Sequence, residues 1–296
     1  MRFAPLEREM SRLMLGTLVV STDVLDEYVR LGGNAIDTAH AYNDGDSERA
    51  LGRWLESRPG MRERLTILSK GAHPSADRRR VTPEDITCDL RDTIARLGGP
   101  VDLYLLHRDD PSVPVGPIVE ILNEHLRGGR LRAFGASNWT CARIDEANEY
   151  ARDQGLEGFC CSSVHLSLAT QNEEHWPDTL SACEESIHAW HERTQMPLLA
   201  WSAQARGFFA GRVDERVYGN DANRERLRRA GLVAERLGAT ANQVALAWVL
   251  HRPFPVYAIF GVRTVESLRD AVGALDVELT EDELRWLNLE PATIRA

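Results

Sequence analysis

The chain has 296 residues, 43% hydrophobic and 27% charged, which is typical of a globular protein that buries a large core. Its formal net charge of -10 argues against a general nucleic-acid or anionic-membrane partner, because such partners require basic surfaces. The three arginines at 78–80 are followed by Glu84 and Asp85, so we interpret them as a solvated loop.

The N-terminal segment and the cysteines predict a cytoplasmic protein. Residues 1–16 contain acidic side chains and no long apolar run, so a secretory signal is not expected. No stretch of the sequence approaches the ~18 apolar residues of a membrane span. The five cysteines are odd in number and irregularly spaced, which is not typical of a disulfide framework. We therefore expect reduced thiols in a cytoplasmic protein.

Short apolar runs alternate with amphipathic stretches along the whole chain. Each run is rich in aliphatic residues and is bounded by Gly, Pro or polar residues, as expected of strands that are buried on both faces. Eight such runs are predicted to be strands: residues 14–19, 34–37, 65–70, 101–107, 131–136, 159–163, 197–201 and 256–260.

Capping residues predict the helices between these runs. The segment at 82–85 reads Thr-Pro-Glu-Asp, which combines a capping hydroxyl, a proline at the first helical position and two first-turn acids. Glycines such as Gly98 and Gly155 indicate helix ends. The predicted helices cover residues 21–31, 82–97, 115–126, 140–154, 240–250, 264–272 and 280–289.

Eight strands that alternate with helical stretches predict an α/β fold, the (β/α)8 TIM barrel, with the helix over 280–289 as a C-terminal addition. The alternative is a doubly wound open sheet, which usually has a Gly-rich fingerprint after its first strand. Residues 15–18 read Leu-Gly-Thr-Leu, which is not such a fingerprint. No linker is evident, so residues 1–296 are predicted to form a single domain. The short segment before the first strand leaves little room for a hairpin that closes the barrel.

Ionisable residues end three consecutive predicted strands, namely Asp37, Lys70 and His107. A barrel places its catalytic residues at these carboxyl ends, and a charged group there must be paired or functional. Tyr42 follows Asp37 by five residues. Because a nearby ammonium favours the phenolate, Lys70 is expected to lower the pKa of Tyr42 and make it a better proton donor near neutral pH. His107 can hydrogen-bond a carbonyl or relay a proton.

Each of these residues also has a purely structural explanation. Asp37 and Lys70 could form a plain buried ion pair, Tyr42 could be a loop aromatic that covers a helix end, and His107 could be a satisfied buried histidine. The joint pattern favours catalysis, because the four groups together suit protonation of an oxygen while hydride reaches its carbon.

Residues 36–42 read Ile-Asp-Thr-Ala-His-Ala-Tyr and are followed by Ser47-Glu48 and Leu51-Gly52. This segment resembles the first signature of the aldo-keto reductase family, and the resemblance extends over nearly the whole chain. It implies a catalytic tetrad in which Tyr42 donates the proton and Asp37, Lys70 and His107 support it. It also implies NADP(H) as the cofactor.

The resemblance further implies a set of cofactor-binding residues. Ser137 and Asn138 would contact the nicotinamide carboxamide, and Trp201 would stack on its ring. Ser163 and Ser267 stand where the family tends to have longer polar side chains, and both are retained as candidates. A guanidinium that opens a helix suits a phosphate dianion, so Arg263 favours NADP over NAD. The other candidates follow the seventh and eighth strands: Ser202, Gln204, Arg206, Gly207 and Gly261.

The long loops over 164–176 and 202–222 are predicted to select the substrate, a small-molecule carbonyl compound or alcohol. Three polar residues in the first loop suggest a polyhydroxylated ligand such as a sugar: Gln171, Asn172 and Glu173. Three aromatic residues in or beside such loops are candidates for lining the pocket: Trp139, Trp176 and Phe208.

Two further clusters are interpreted as structural. His188 and His191 share one helix face but lack further ligands nearby, so we expect a solvated helix and no metal. Asp109 and Asp110 are expected to cap the loop after the fourth strand, although one of them could face the pocket.

The leading hypothesis is therefore an NADP(H)-dependent carbonyl reductase or alcohol dehydrogenase. One alternative is a sensor or partner subunit that binds NADP(H) with negligible turnover. Another is a lyase or isomerase that uses Lys70 as a Schiff-base amine.

Overall fold

The computed structural model describes residues 1–291 of the chain. Within them, a hairpin of β1 (Arg2–Phe3) and β2 (Arg8–Glu9) precedes eight parallel strands that close into a barrel. The strands are β3 (Leu13–Gly16), β4 (Ala35–Asp37), β5 (Thr66–Gly71), β6 (Val101–Leu106), β7 (Leu131–Ser137), β8 (Ser162–Ser163), β9 (Leu198–Ala200) and β10 (Val256–Phe260). They pair in chain order, and β10 pairs with β3 to complete the ring. The predicted (β/α)8 barrel is confirmed.

Helices cover the outside of the barrel and share a hydrophobic core with its strands. They are α1 (Thr22–Arg30), α2 (Asp46–Glu56), α3 (Met61–Arg64), α4 (Pro83–Leu97), α5 (Val115–Arg127), α6 (Cys141–Gln154), α7 (Glu185–Thr194), α8 (Glu215–Tyr218), α9 (Asp221–Leu237), α10 (Ala241–Leu250), α11 (Val265–Val272) and α12 (Glu281–Leu287). The additional C-terminal helix is α12. The last five residues of the predicted single domain lie outside the described range. Among residues 1–291, no helix has the length and apolar character needed to span a membrane.

Side-chain caps explain where most of the predicted helices begin. In six of them a hydroxyl accepts a hydrogen bond from the backbone N–H three residues later. Gly98 and Gly155 adopt the left-handed conformation directly after α4 and α6. The six caps are Ser21, Thr82, Thr140, Thr240, Thr264 and Thr280.

Strand β8 is shorter than the apolar run over 159–163 that predicted it. Only Ser162 and Ser163 of this run pair with β7 in the barrel. Phe159 is held instead by the side-chain amide of Asn148 on α6, which bonds both its N–H and its carbonyl. The apolar character of this run therefore reflects burial of Phe159 as well as strand pairing.

Helices α2 and α9 have no counterpart among the predicted helices. Charged residues are frequent in both, so their apolar stripes are narrow. Helix α2 packs closely on α4 at Gly52, where an added Cβ would lie 2.1 Å from the carbonyl oxygen of Arg96. Glycine is therefore required at this position, because the backbones of α2 and α4 approach too closely for any side chain.

A short hairpin closes the bottom of the barrel, although little room was expected for one. Phe3, Leu6 and Met10 from this segment are buried against residues inside the barrel. Two-residue strands suffice because packing of these apolar side chains, more than the ladder itself, fills the barrel end. The barrel residues of this cluster include Met14, Ala35, Leu68, Leu103, Leu105, Leu199 and Tyr257.

The arginines at 78–80 lie in a loop, as predicted, but they are bound to carboxylates instead of standing free in solvent. Two of the acceptors lie on α4 and the third lies in the loop after β8. The order of these residues in the sequence therefore does not reveal the ion pairs. The pairs are Arg78–Asp85 at 2.6 Å, Arg79–Asp178 at 2.9 Å and Arg80–Asp89 at 2.5 Å.

The prediction that His188 and His191 lie on a solvated helix face is wrong for His191. His191 of α7 has no exposed surface, stacks on Phe254 at 5.2 Å and bonds through Nδ1 to the carbonyl of Met196 at 2.8 Å. The partner ring belongs to a loop more than sixty residues away, which the helix's own periodicity does not reveal. Within residues 1–291, no group of three or more His, Cys, Asp or Glu is placed to hold a metal ion.

Candidate active site

A cavity of about 700 Å³ opens at the carboxyl ends of the barrel strands. Parallel strands direct these ends to the same rim, so residues that are far apart in sequence meet there. Thirteen of the fifteen predicted site residues line the cavity. They are Asp37, Tyr42, Lys70, His107, Ser137, Asn138, Trp201, Ser202, Gln204, Arg206, Gly207, Gly261 and Arg263.

Lys70 connects Asp37 to Tyr42 inside this cavity. Its ammonium donates hydrogen bonds to Oδ1 of Asp37 at 2.5 Å, to the carbonyl of Thr38 at 3.0 Å and to Oη of Tyr42 at 3.2 Å. Burial alone would lower the pKa of Lys70, but the charge of Asp37 and these bonds outweigh burial and raise it. A protonated amine cannot attack a carbonyl, so this geometry argues against the Schiff-base hypothesis.

Tyr42 keeps its proton at neutral pH. Burial raises the pKa of the phenol above its ordinary value, and the opposing charge of Lys70 does not cancel this effect. Lys70 does act in the predicted direction, since its charge and its hydrogen bond both lower the pKa of Tyr42, but burial of the phenol has the larger effect and the net pKa is raised. The phenol is a protonated donor beside a cation that can stabilise its conjugate base.

The ring of His107 faces Tyr42, with the ring centroids 5.9 Å apart and the planes at 74°. Burial first, and then the charge of Lys70, hold the pKa of His107 well below its usual value. Within the described residues, Nδ1 of His107 is buried without a hydrogen-bond partner. A second imidazole, that of His73, packs edge-on at 4.9 Å. His107 is therefore a neutral ring that can hydrogen-bond a carbonyl.

Asn138 joins the ends of neighbouring strands at the cavity wall. Its Nδ2 donates to the carbonyl of His107 at 3.4 Å and to Oγ of Ser137 at 3.1 Å, and its Oδ1 accepts from the N–H of Leu180 at 3.2 Å. These bonds hold the amide in one orientation. They leave a lone pair of Oδ1 and the hydroxyl proton of Ser137 available to a ligand.

Trp201 packs against His165, a buried histidine that no motif in the sequence indicates. The two ring centroids lie 5.2 Å apart. Nδ1 of His165 bonds to Oγ of Ser181 at 2.9 Å, and Nε2 bonds to the hydroxyl of Tyr218 at 3.3 Å. Burial lowers the pKa of His165 to about 3, so the ring that supports Trp201 is neutral.

The loop after β9 contains three consecutive left-handed residues at 205–207. Such conformations cost free energy in residues with a Cβ, and they recur at ligand sites, where successive N–H groups form an anion-binding concavity. Side chains hold the loop in place. Gln204 donates to Oδ1 of Asn242 at 3.2 Å, and Arg206 bonds to Nδ1 of His175 at 3.0 Å.

Ser163 and Ser267 lie outside the cavity lining. Ser163 is buried and donates to the carbonyl of Leu199 at 2.8 Å, which joins β8 to β9. Ser267 serves the cap of α11, where its N–H and its hydroxyl both bond to Thr264 at 3.2 Å. Both hydroxyls bond within the protein, so their positions do not support the predicted contacts with a cofactor.

Several cavity residues were not predicted. Arg108 directly follows His107, and this position one residue beyond a strand end is a signal that could have indicated it. The others lie in loops without a recognisable motif, and they reach the cavity because those loops fold over its rim. The residues missed include His73, Arg108, Pro177, Asp178 and Arg212.

The long loop after β8 contributes differently from expectation. Trp176 lines the cavity, whereas Trp139 and Phe208, the other two aromatic candidates, are buried in the core. Three polar residues suggested a polyhydroxylated ligand: Gln171, Asn172 and Glu173. None of them is among the described residues that line the cavity.

The two aspartates after β6 are structural in this geometry. Asp110 accepts hydrogen bonds from the N–H and the hydroxyl of Ser112, as a loop cap does. Asp109 lies 3.3 Å from the guanidinium of Arg143. Neither aspartate is among the described residues that line the cavity.

Known proteins match this chain over almost its full length. Residues 19–288 match the family model of the Aldo/keto reductase family. The chain is 29% identical over 281 residues to norsolorinic acid reductase stcV of Emericella nidulans, covering 88% of this chain and 69% of that protein. It is 28% identical over 291 residues to the aldo-keto reductase ausK of the same fungus, covering 90% of this chain and 70% of that protein.

A solved structure has the same architecture. The thermostable aldo-keto reductase Tm1743, determined with the inhibitor epalrestat, superposes with a TM-score of 0.77 at 25% sequence identity. The alignment covers 95% of this chain and 96% of that chain.

Proposed function

The chain belongs to the aldo/keto reductase family, and we propose that it interconverts an aldehyde or ketone and its alcohol with NADP(H), Tyr42 being the proton donor. The observation that carries the proposal is the 3.2 Å contact between the ammonium of Lys70 and the phenol of Tyr42 inside the cavity. A neutral phenol beside a buried cation can release its proton to a carbonyl oxygen, because the cation stabilises the phenolate that remains.

The roles of the four residues follow from their positions. The substrate carbonyl oxygen would accept hydrogen bonds from Tyr42 and from the neutral ring of His107. During reduction Tyr42 transfers its proton to that oxygen, and Lys70 stays charged beside the phenolate. Asp37 touches Lys70 and acts by holding the ammonium in place.

The cavity residues fit a nicotinamide dinucleotide. Trp201 presents an aromatic ring to the cavity, and its Nε1 is buried without a partner among the described residues. The left-handed turn at 205–207 offers an anion-binding concavity on the same side. When bound, such a cofactor supplies the hydride that reduces the carbonyl carbon.

Arg263 supports NADP over NAD. It is exposed at the cavity rim and immediately precedes Thr264, the cap of α11. A guanidinium beside the first N–H groups of an eight-residue helix favours a phosphate dianion by charge and by hydrogen bonding. The adenosine 2′-phosphate of NADP would supply that dianion.

The outer wall of the cavity suits an apolar substituent. Trp176 and Pro177 line it, and the ring of Trp176 lies 5.7 Å from that of Trp201. A small carbonyl compound with an aromatic or aliphatic group could pack on this wall while its oxygen reaches Tyr42.

The test is NADPH consumption by the parent protein and by Tyr42→Phe with a panel of aldehydes and ketones. We expect the substitution to lower kcat by about 10²- to 10⁴-fold, because the proton donor is lost. Quenching of tryptophan fluorescence by NADPH should be unchanged, which controls for folding and cofactor binding.

Full activity of Tyr42→Phe would rule out the assigned proton donor. Tight NADPH binding by the parent without turnover of any carbonyl would favour the sensor hypothesis instead.

A further inference from the structure

We propose that Arg108 binds a carboxylate group of the substrate, so that the preferred substrates are carbonyl compounds that also carry a carboxylic acid. This inference rests on the proposed carbonyl reduction and narrows its substrate class. Arg108 directly follows His107 and lines the same cavity as His107 and Tyr42.

Arg108 is a buried cation that forms no ion pair with any acidic residue in the described part of the chain. Only 7% of the residue is exposed. Within residues 1–291 its polar contacts are two backbone carbonyls, with Nε donating to Pro177 at 3.4 Å and Nη1 donating to His107 at 2.9 Å. Nη2 has no acceptor among these residues. The guanidinium is therefore held in place by two carbonyls, while Nη2 keeps its donors for a ligand.

An unpaired guanidinium in a buried position costs free energy, and arginine does not escape this cost by losing its proton. Burial lowers the pKa of Arg108, and the nearby charge of Asp178 acts in the opposite direction. Asp178 is bound elsewhere, because its Oδ2 accepts from Arg79 at 2.9 Å. A ligand carboxylate would supply the missing charge and could accept two parallel hydrogen bonds.

The cavity as a whole carries excess positive charge. Among residues 1–291, five of the charged residues that line it are cationic and two are acidic, on a chain whose formal net charge is -10. The carboxylate of Asp37 is already paired with the ammonium of Lys70 at 2.5 Å. A cavity of this kind attracts anions in preference to neutral or cationic molecules.

The cationic residues divide by position into two groups. Arg206, Arg212 and Arg263 follow strands β9 and β10, on the side proposed for the cofactor phosphates. Arg108 follows β6, beside the group that would bind the carbonyl. It is therefore the cation that remains for the substrate.

Arg108 lines the same cavity as Tyr42 and His107. Its Nη1 donates to the carbonyl of His107 at 2.9 Å, so the guanidinium is fixed to the residue that would bind the substrate carbonyl. A small molecule held by Tyr42 and His107 through its carbonyl could therefore present a carboxylate to Arg108. Trp176 on the adjoining wall would cover the apolar part that joins the two groups.

The experiment compares matched acids and esters in the enzyme saturated with NADPH. The pairs are 3- and 4-carboxybenzaldehyde with their methyl esters, and phenylglyoxylate with its methyl ester. The ratio of kcat/KM for acid and ester is measured for the parent and for Arg108→Met. We expect the acid to lose about 10- to 100-fold more than the ester, mainly in KM, because a charge-assisted hydrogen-bonded contact contributes about 1.5–3 kcal/mol.

Two further variants keep the comparison interpretable. Arg108→Lys retains the charge and should restore part of the preference for the acid, even if Arg108→Met folds poorly. Arg152→Gln removes the same charge from an exposed position on α6 and should leave the acid-to-ester ratio at the parent value. Equal losses for acid and ester in Arg108→Met would overturn the inference.

Failure of this inference can be distinguished from failure of the proposed function. Turnover of the esters with no preference for the acids in the parent would overturn the role of Arg108 and leave carbonyl reduction intact. If the parent turned over neither member of any pair, titration of the protein with benzoate in the presence of NADP⁺ would decide. Binding that weakens at least tenfold in Arg108→Met supports the carboxylate site, and equal binding in both proteins contradicts it.

Discussion

Lys70 illustrates how one residue serves both stability and chemistry. It is 3% exposed, as is its partner Asp37, so both charges are removed from water. Such a pair adds little net stability when it is intact, but breaking it leaves one charge uncompensated. The bond from the same ammonium to Tyr42 gives the pair a chemical use that an apolar replacement would not provide.

Lys70→Met is expected to lower the free energy of unfolding by about 3–5 kcal/mol, because Asp37 is left as a buried, unpaired carboxylate. Asp37→Asn combined with Lys70→Met should recover much of this loss, since the isolated charge is removed. Both variants should retain only a small residual activity, because neither places a cation beside Tyr42. Urea denaturation and NADPH oxidation measure the two effects separately. A double variant no more stable than Lys70→Met would contradict this account of the pair.

The protonation state of Tyr42 predicts the pH dependence of the reaction. Burial raises the pKa of the phenol, so the proton-donating form persists above the usual range of tyrosine. We expect kcat/KM for reduction to be level between about pH 6 and 9 and to fall only above about pH 10.

Lys70 lowers the pKa of Tyr42 in the parent, so removing its charge should move the alkaline decline to higher pH. The residual activity of Lys70→Met, followed from pH 8 to 11, tests this direction. A decline that moves to lower pH would show that Lys70 does not favour the phenolate.

At the scale of elements, two glycines in helices test different physical constraints. Gly52 of α2 faces the backbone of α4, where a Cβ would meet the carbonyl oxygen of Arg96 at 2.1 Å. Gly231 in α9 has no atom within 4 Å of such a Cβ. The first glycine is required by packing, whereas the second mainly adds freedom to the unfolded chain.

We expect Gly52→Ala to destabilise the protein by about 1–3 kcal/mol, because the two helices must move apart. Gly231→Ala should stabilise it by about 0.5–1 kcal/mol. Denaturant unfolding of both variants beside the parent checks the contrast. Similar changes in the same direction would mean that packing at Gly52 does not govern the result.

At the scale of the whole molecule, buried histidines couple stability to pH. Burial lowers the pKa of His165 to about 3 and that of His191 to about 4, and it holds the pKa of His107 well below the ordinary value. In the unfolded chain each of these histidines has a pKa of about 6.5. Below that value the unfolded state binds more protons than the folded state, so stability falls as the pH falls.

Each of these rings should contribute about 1.4 kcal/mol per pH unit to this loss, from about pH 6.5 down to its folded pKa. Urea denaturation at pH 7.5, 6.5 and 5.5 measures the slope. His191→Leu should reduce the slope of the free energy of unfolding against pH by the contribution of one titrating histidine. This reduction is expected whatever the effect of the substitution on stability at pH 7.5. An unchanged slope in that variant would exclude His191 as a source of the pH dependence.

Local patterns were sufficient for the architecture and for the catalytic candidates. Aliphatic runs bounded by turn residues predict strands, and Ser or Thr before an amphipathic stretch predicts where a helix begins, because both signals depend on neighbours in sequence. Asp37, Lys70 and His107 could be found in the same way, since a parallel barrel brings every strand end to one rim.

The properties that depend on distant segments were decided by the tertiary structure. The direction of the Tyr42 pKa requires the depth of burial, and the burial of His191 requires Phe254 from another loop. The free Nη2 of Arg108 becomes evident only in the folded chain, where its other donors bond to two backbone carbonyls and Asp178 bonds to Arg79. Desolvation and charge neighbours are sums over everything that folds around a group, so periodicity along the chain predicts the barrel and its rim residues but not their protonation or pairing.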